Sequence, residues 1–279
     1  MARAKRQLKV KTDDDKLPST RRQLFGRIIK DDFYLLVDLS LTEALFSVPL
    51  IAVLVFEYVF LISVEVKLET IFPIIFYMGL GAVPCFGIKY IGRNAAFSVM
   101  KKRVHNEGCF ITAQVVSSIR SSGIKSLFNG LIAGLSAFIA AAGSVYLLFL
   151  SDTFLKWFGI GALILQFVIV YGTAEYFCAS ENFYDMKFIP QWKNSFSFSI
   201  MTFPLTLAYF TLTVGLKFTL SLFAPWLAIL TASLYSLALN GLSVAAVTLF
   251  SHHQFDVHIN AENYPEYVGK GLLRKQETE

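Results

Sequence analysis

The sequence predicts an all-α membrane protein with about six transmembrane helices. Of its 279 residues, 55% are apolar and only 16% are charged, whereas soluble domains carry about 25% charged residues. The apolar residues, among them 27 phenylalanines, lie in runs of about twenty, the length that an α-helix needs to cross a bilayer. Basic residues alternate between the connections, as they do between the two sides of a membrane.

The N-terminal region is predicted to precede the membrane domain rather than to act as a secretory signal. Ten of the first thirty residues are Lys or Arg, and no small-residue cleavage site follows them. Up to about Thr20 we expect disorder, since this segment has little apolar surface to bury. From Arg21 to Asp38, Leu24 and Ile28 share an apolar helical face, which fits a helix on the headgroup surface or a simple entry into the first span.

Six apolar runs are the predicted spans. They are Leu39–Val64, Ile71–Val99, Leu127–Leu150, Phe154–Cys178, Phe196–Phe223 and Pro225–Phe250. Pro225 alone separates the last two, because proline ends one helix and readily starts another. The chain therefore divides into a basic and partly disordered tail, a transmembrane helical domain and a C-terminal tail, at residues 1–30, 31–251 and 252–279.

The distribution of Lys and Arg predicts that both termini are cytoplasmic. The connections "EVKLET" and "SDTFLK" have one basic residue each and "FAPW" has none, whereas residues 101–126 have five and the C-terminal tail has three. Basic residues concentrate in cytoplasmic connections. Cys85, Cys109 and Cys178 then lie in the membrane or on its reducing side, and we expect no disulfide.

Residues 101–126 form a polar island that is far longer than a turn needs to be. Phe110, Ala113, Val116 (or Val115) and Ile119 recur at helical spacing, so we predict an amphipathic cytoplasmic helix between spans 2 and 3. It either closes a loop on the membrane surface or docks a cytosolic or membrane partner. With the C-terminal tail, it supplies the candidate partner-surface residues Lys101, Lys102, Arg103, Glu107, Arg120, Lys125, Tyr264, Pro265 and Glu266.

Two ionisable residues are predicted deep within spans, where charge is costly and informative. Glu57 and Lys217 both lie roughly 10 Å below the outer surface by the helical rise and could form an intramembrane ion pair. Alternatively, Lys217 extends outward to the headgroups and Glu57 faces a wet crevice.

Four further charged residues are predicted near the cytoplasmic ends of their spans. Lys89 and Arg93, one helical turn apart, are expected to reach lipid headgroups, and Glu43 and Glu175 could accept hydrogen bonds from them. No continuous proton or ion path can be drawn through these positions.

Small residues in the third span predict a close helix contact. Gly130, Gly134 and Ala137 (or Ser136) lie on one helical face, in the small-x-x-x-small pattern that lets membrane helices approach closely. The contact is either internal or with another subunit.

The sequence contains no recognised catalytic motif, and we expect no enzyme activity, cofactor, metal or nucleic-acid partner. "SHHQFDVH", at residues 251–258, is the one histidine cluster. At the cytoplasmic exit of the last span, we interpret it as a solvated helix end. A membrane enzyme acting on lipid or glycan would most plausibly use His252, His253 and Asp256.

Three segments resemble the YesL-like bacterial membrane proteins, a family of unknown function. They are "SVPLIAV", "PCFGIKYIGRNAAFSVMKKRVHNEGCFI" and "INAENYPEYVGKGL", within a resemblance that covers about residues 30–272. It implies the bacterial plasma membrane and an accessory part in carbohydrate import of the ATP-binding-cassette type, with no catalytic residues to carry over. The long basic N-terminal extension departs from the family.

The expected function is that of a non-enzymatic accessory membrane protein of a carbohydrate importer. Its expected partners are the lipid bilayer and the permease subunits, with the cytoplasmic helix and tail as contact surfaces. The alternative is an autonomous channel or transporter for a small solute, whose path would be lined by Glu57, Lys217, Asn240 and Thr206 or Thr211.

Overall fold

A computed structural model describes residues 17–215 and 233–272. Within them the chain is all-α and contains no strand, which confirms the all-α part of the predicted fold class. The main helices are α1 (Arg21–Asp31), α2 (Phe33–Ile62), α3 (Leu68–Val104), α4 (Ile111–Leu148), α5 (Thr153–Glu181), α6 (Phe188–Met201), α7 (Phe203–Phe210) and α8 (Asn240–Phe255). Short helical turns at Thr211–Gly215, Tyr235–Leu239, Asp256–Asn260, Ala261–Asn263 and Pro265–Tyr267 flank α7 and α8.

Four of the described helices, α2 to α5, are long and apolar enough to cross a membrane, and they correspond to the first four predicted spans. The bent pair Phe188–Met201 and Phe203–Gly215 makes a fifth if it is counted as one span. α3 and α4 have 37 and 38 residues, or about 55 Å of helix each. Since hydrocarbon is about 30 Å thick, both helices of this antiparallel pair are much longer than a membrane crossing requires.

The predicted separate amphipathic helix is instead the beginning of α4. The polar island and the third span form one uninterrupted helix from Ile111 to Leu148. Gly123 lies within it and does not end it. A glycine inside a helix costs only about 1 kcal/mol relative to alanine, and packing of α4 along α3 outweighs that cost.

The predicted fifth span is wrong at its start, because the chain turns sharply at Thr202. α6 and α7 meet there at 95°, so residues 196–201 belong to α6. Pro204, in the first turn of α7, has no N–H with which to continue the α6 ladder. The end of this span and Pro225 lie outside the described residues, as do Lys217 and most of the N-terminal segment predicted to be disordered.

Burial is concentrated at one end of the helical bundle. This packed end comprises residues 21–43, 90–111, 171–201 and 240–272. In α3, for example, nearly every residue from Tyr90 to Met100 is buried. The opposite sparse end comprises residues 51–81 and 143–167, where Ile75 alone is buried.

Both described chain ends meet at the packed end. Leu24 and Ile28 of α1 are 4% and 0% exposed and belong to the main apolar core, against which Leu272 of the C-terminal tail also packs. The Arg21 guanidinium donates to the carbonyl of Lys270 at 2.9 Å. α1 is thus a separate helix that covers α8 with its apolar face, rather than a continuous entry into α2.

Candidate functional site

The packed end encloses an ionic cluster centred on Arg93, which is 1% exposed. Its Nε and Nη2 donate to the Glu175 carboxylate at 2.7 and 2.6 Å. Its Nη1 donates to Glu43 Oε2 at 2.5 Å and to Ser243 Oγ at 3.2 Å. α2, α3, α5 and α8 therefore each contribute one side chain to a single hydrogen-bonded unit.

Small residues let these four helices close around Arg93. The Cα of Gly241 in α8 lies where a side chain would collide with the carbonyl of Leu36 in α2, and the Gly241 N–H donates to Ser40 Oγ at 2.7 Å. Gly92 packs in the same way against Phe46, which would lie 2.6 Å from a Cβ at that position. The backbones of α2 and α8 consequently approach closely enough to exclude both water and lipid from the cluster.

The charges of the cluster balance when Lys89 is included. Glu43 and Glu175 supply two negative charges and Arg93 one positive charge. Lys89, one turn before Arg93, is near enough for its charge to act on both carboxylates. A buried charge is tolerable only when it is paired and hydrogen-bonded, and in this cluster the two Arg93 pairs meet that condition.

The prediction for Arg93 was therefore half right. Glu43 and Glu175 do accept hydrogen bonds from it, as expected. Arg93 does not reach the headgroups, however, because α2, α5 and α8 enclose it. Lys89 is half-buried, with its ammonium 5.8 Å from the centre of the Phe86 ring.

A second polar cluster joins the histidines at the packed end. His105, in the α3–α4 connection, and His252, in α8, place their Nε2 atoms 2.9 Å apart. His252 is 1% exposed and its ring centre lies 4.4 Å from that of Phe183. The interpretation of this segment as a solvated helix end is wrong for His252, because α1, the α3–α4 connection and Phe183 cover it; His253 remains exposed.

The contacts of His252 define where the imidazole protons lie. The Arg21 guanidinium can only donate, so His252 Nδ1, 3.2 Å from Arg21 Nη2, must accept. His252 then carries its proton on Nε2 and donates to His105 Nε2. The proton of His105 lies on Nδ1, 3.7 Å from Glu107 Oε1.

Burial keeps both imidazoles neutral. It lowers the pKa of His105 to about 3, assisted by the neighbouring His252, and it also lowers the pKa of His252. Burial alone would raise the pKa of Glu107, but hydrogen bonds from Lys102 and Lys270 lower it to about 2. The pKa of Asp256 is likewise lowered despite its burial, because His252 lies 3.6 Å from its carboxylate and Asn260 and Arg21 donate hydrogen bonds to it.

Most of the predicted partner-surface residues bind other parts of this chain. Lys102 and Lys270 both contact Glu107, at 2.6 and 3.1 Å, and Arg103 contacts Asp32 at 2.6 Å.

Other members of the set are held in similar ways. Lys125 contacts Glu181 at 3.0 Å and Lys101 donates to the carbonyl of Asn182. The Tyr264 ring packs on those of Tyr184 and Tyr267. Arg120, Pro265 and Glu266 are exposed.

The small-residue face of α4 lies against α3. A Cβ at Gly130 would lie 2.5 Å from the carbonyl oxygen of Phe86, and one at Gly134 would lie 3.0 Å from that of Val83. Ala137 is half-buried, and the neighbouring Ser136 accepts a hydrogen bond from Gln166 of α5 at 2.8 Å. Within the described chain, this face serves an internal contact.

The proposed solute path is represented only in part. Glu57 is half-buried in α2, and Lys217 is outside the described residues. Thr206 is buried and donates to the carbonyl of Ser199 at 2.8 Å, while Thr211 is exposed and donates to that of Leu207. Asn240 is buried. Over residues 17–215 and 233–272, no group of three or more His, Cys, Asp or Glu side chains could hold a metal ion.

Sequence reasoning missed His105, Asp32 and Ser243 as members of these clusters. His105 lies in the quoted polar island, but its partner His252 is 147 residues away, and no local pattern links them. No family model, curated protein or solved structure matches this chain. The functional argument therefore rests on the geometry and on the residues of the chain itself.

Proposed function

We propose that the chain is a six-span protein of the bacterial plasma membrane with both termini in the cytoplasm. The packed end, which holds both described chain ends and most of the basic connections, would be its cytoplasmic part. The support comes from the positive-inside rule and from the extension of α3 and α4 beyond a bilayer's thickness.

Cysteine labelling tests this orientation. The three free cysteines, Cys85, Cys109 and Cys178, would be replaced by serine or alanine, and a single cysteine introduced as Glu65→Cys or Arg120→Cys. A membrane-impermeant maleimide should label the Glu65→Cys protein in intact cells and the Arg120→Cys protein only after permeabilisation. The reverse pattern would invert the proposed topology.

We further propose that the protein is a non-enzymatic accessory component of a carbohydrate importer of the ATP-binding-cassette type. The observation that carries this proposal is an exposed face on the part of α4 that extends beyond its membrane-crossing length. Val116 and Ile124 are 41% and 75% exposed, and Arg120 is exposed between them. The three follow one another at four-residue intervals and so share one helical face.

This exposed face of α4 differs from the neighbouring basic residues, because its side chains are not covered by the rest of the chain. Lys102, Arg103 and Lys125 form ion pairs with carboxylates of the same chain. The exposed face of α4 instead has one branched apolar side chain on each side of an arginine. Apolar anchors beside an arginine are the composition that concentrates binding energy in protein interfaces. Because α4 is continuous into the membrane, a permease subunit could contact this face and the adjoining span together.

Co-purification with defined subunits tests the importer proposal. The protein would be co-expressed with the permease subunits of a bacterial carbohydrate importer of this type and isolated in mild detergent. Ile124→Asp should reduce permease recovery at least tenfold, the effect of losing about 1.4 kcal/mol at an interface. The control is Val257→Asp, which changes an apolar residue, 56% exposed at the packed end, and should leave recovery unchanged. Wild-type protein purifying without permease subunits would contradict the proposal.

The alternative is an autonomous channel or transporter, which the Glu43–Arg93–Glu175 cluster favours. Ionisable groups inside membrane helices often mark ion or substrate paths. Liposomes that contain this protein alone would then show solute flux that Glu175→Gln abolishes. Sealed liposomes without flux would favour the accessory role.

A further inference from the structure

A cavity of about 590 Å³ lies between α1 and α8 at the packed end. Its apolar wall includes Phe25, Leu249, Phe250 and Leu272. Its volume falls within the range of ordinary ligand sites, which are mostly apolar with a few placed polar groups. No residue of the Arg93 cluster lines this cavity.

The polar side of the cavity contains two arginines. Arg21, Arg22 and His253 line it together with the hydroxyl residues Ser19 and Thr20. Arg22 is exposed, and no ion pair holds it among the described residues. Arg21 is held by Asp256 at 3.0 Å, yet its buried Nε has no hydrogen-bond partner within the described part of the chain. Arg22 thus offers the cavity a cation without an ion-pair partner in the described residues, beside the apolar wall.

The cavity lies at the end of the predicted sixth span. Ala246, Leu249 and Phe250 are the last turns of the predicted sixth span, and His253 is the first exposed residue beyond it. Arg22 and Phe25 of α1, three residues apart, share one helical face, and both line the cavity. If an occupant has an acyl chain and an anionic head, its acyl chain can contact the apolar wall while its head contacts the basic residues.

We propose that this cavity binds one anionic phospholipid, with its phosphate at Arg22 and His253 and an acyl chain along Phe25, Ala246 and Phe250. A lipid is favoured over a free phosphorylated solute, because a solute would leave the apolar wall exposed. It is favoured over a zwitterionic lipid, because basic side chains attract anionic headgroups by about 1 kcal/mol each. The inference is independent of any importer partner.

Lipid binding to the full-length protein tests the site. Native mass spectrometry of the detergent-purified chain would compare phosphatidylglycerol, phosphatidylcholine and soluble glycerol phosphate. We expect phosphatidylglycerol to bind most tightly and glycerol phosphate not to bind measurably. Preference for phosphatidylcholine, or equal binding of glycerol phosphate, would overturn the proposal.

Two variants locate the binding. Arg22→Gln should weaken phosphatidylglycerol binding about fivefold, the factor for one basic side chain at an anionic surface, and leave phosphatidylcholine binding unchanged. The matched control is Arg120→Gln, which removes the charge of another exposed arginine, in α4, and should not affect lipid binding. An equal loss in both variants would show diffuse attraction rather than a site.

The second variant, Ala246→Phe, fills the chamber and should abolish the retained lipid. Ala246 is half-buried on the cavity wall, so the added ring enters the cavity instead of the core. Unfolding temperature without lipid would show whether the variant folds. A folded Ala246→Phe protein that retains phosphatidylglycerol as the wild type does would place the lipid elsewhere and refute the site.

Discussion

The packed and sparse ends of the bundle are made of the same apolar and aromatic residue types but bury them very differently. At the packed end, Tyr90 and Phe97 are 0% and 1% exposed, whereas at the sparse end Phe56 and Tyr77 are 62% and 71% exposed. In lipid, apolar side chains gain nothing by leaving one hydrocarbon surface for another. Close packing therefore occurs where glycines and polar networks hold the helices together.

Removal of Arg93 should produce the largest effect of any single change at the packed end. Arg93→Met leaves Glu43 and Glu175 buried without a partner, and we expect a loss of about 3–5 kcal/mol in stability. Thermal or denaturant unfolding in detergent would measure it. The exposed Arg120→Met should change stability by less than about 0.5 kcal/mol.

Restoring charge balance sharpens this test. A quadruple variant, Glu43→Gln, Lys89→Met, Arg93→Met, Glu175→Gln, removes all four charges of the cluster and should recover part of the loss. Arg93→Met and Arg120→Met with the same stability would show that the cluster does not hold the packed end together.

Adding a methyl group compares the close contact between α3 and α4 with the sparse end. In Gly130→Ala the new Cβ would meet the backbone of Phe86 and Gly87, at 2.5 and 2.7 Å, and we expect a cost of about 1–3 kcal/mol. In Gly161→Ala, at the sparse end, the Cβ has nothing within 4 Å, and the better helix propensity of alanine should add up to about 1 kcal/mol. The two variants would be compared by unfolding temperature. Equal destabilisation would contradict the difference in packing.

Acid should weaken the packed end through its buried histidines. The pKa of His105 in the folded protein is about 3, below its ordinary 6.5, so only the unfolded chain binds this proton between those values. The contribution of His105 to the free energy of unfolding is therefore fully present above about pH 6.5 and decreases as the pH falls toward 3. His105→Gln should lose roughly 1 kcal/mol less than the wild type between pH 6.5 and 5.5. Parallel stability–pH curves would contradict the burial of His105.

The smallest effect is expected at Glu57, in the sparse end. Glu57→Gln keeps the shape of a half-buried side chain and should change stability by no more than about 0.5 kcal/mol. A loss of stability above about 2 kcal/mol would indicate that Glu57 belongs to a buried ion pair, as predicted from the sequence for Glu57 and Lys217. Unfolding measurements on both single variants and the double variant would separate these outcomes.

The sequence was most informative where the signal was local. Each of the four long helices was anticipated from an apolar run, since a segment of about twenty apolar residues is stable in lipid as a helix whatever surrounds it. The boundaries were less well predicted. The break at Thr202 lies inside an apolar run, and the continuation of α4 through Gly123 depends on α3 beside it.

Which charged side chains are enclosed could not be predicted in the same way. α3 is apolar around its whole circumference, so periodicity does not show which face meets α2 or α5. Arg93 and Lys89 look alike in sequence, one turn apart and at the same end of a span. Only the helices that pack around Arg93 separate them.

By itself, the sequence determined that the chain is all-α with four helices long and apolar enough to cross a membrane, because hydropathy and helix length are properties of contiguous residues. The tertiary structure alone decided that Arg93, Glu43, Glu175 and Ser243 form one unit and that His105 meets His252. Those contacts join residues 50 to 150 positions apart. Their energies depend on desolvation, which exists only after several helices have come together.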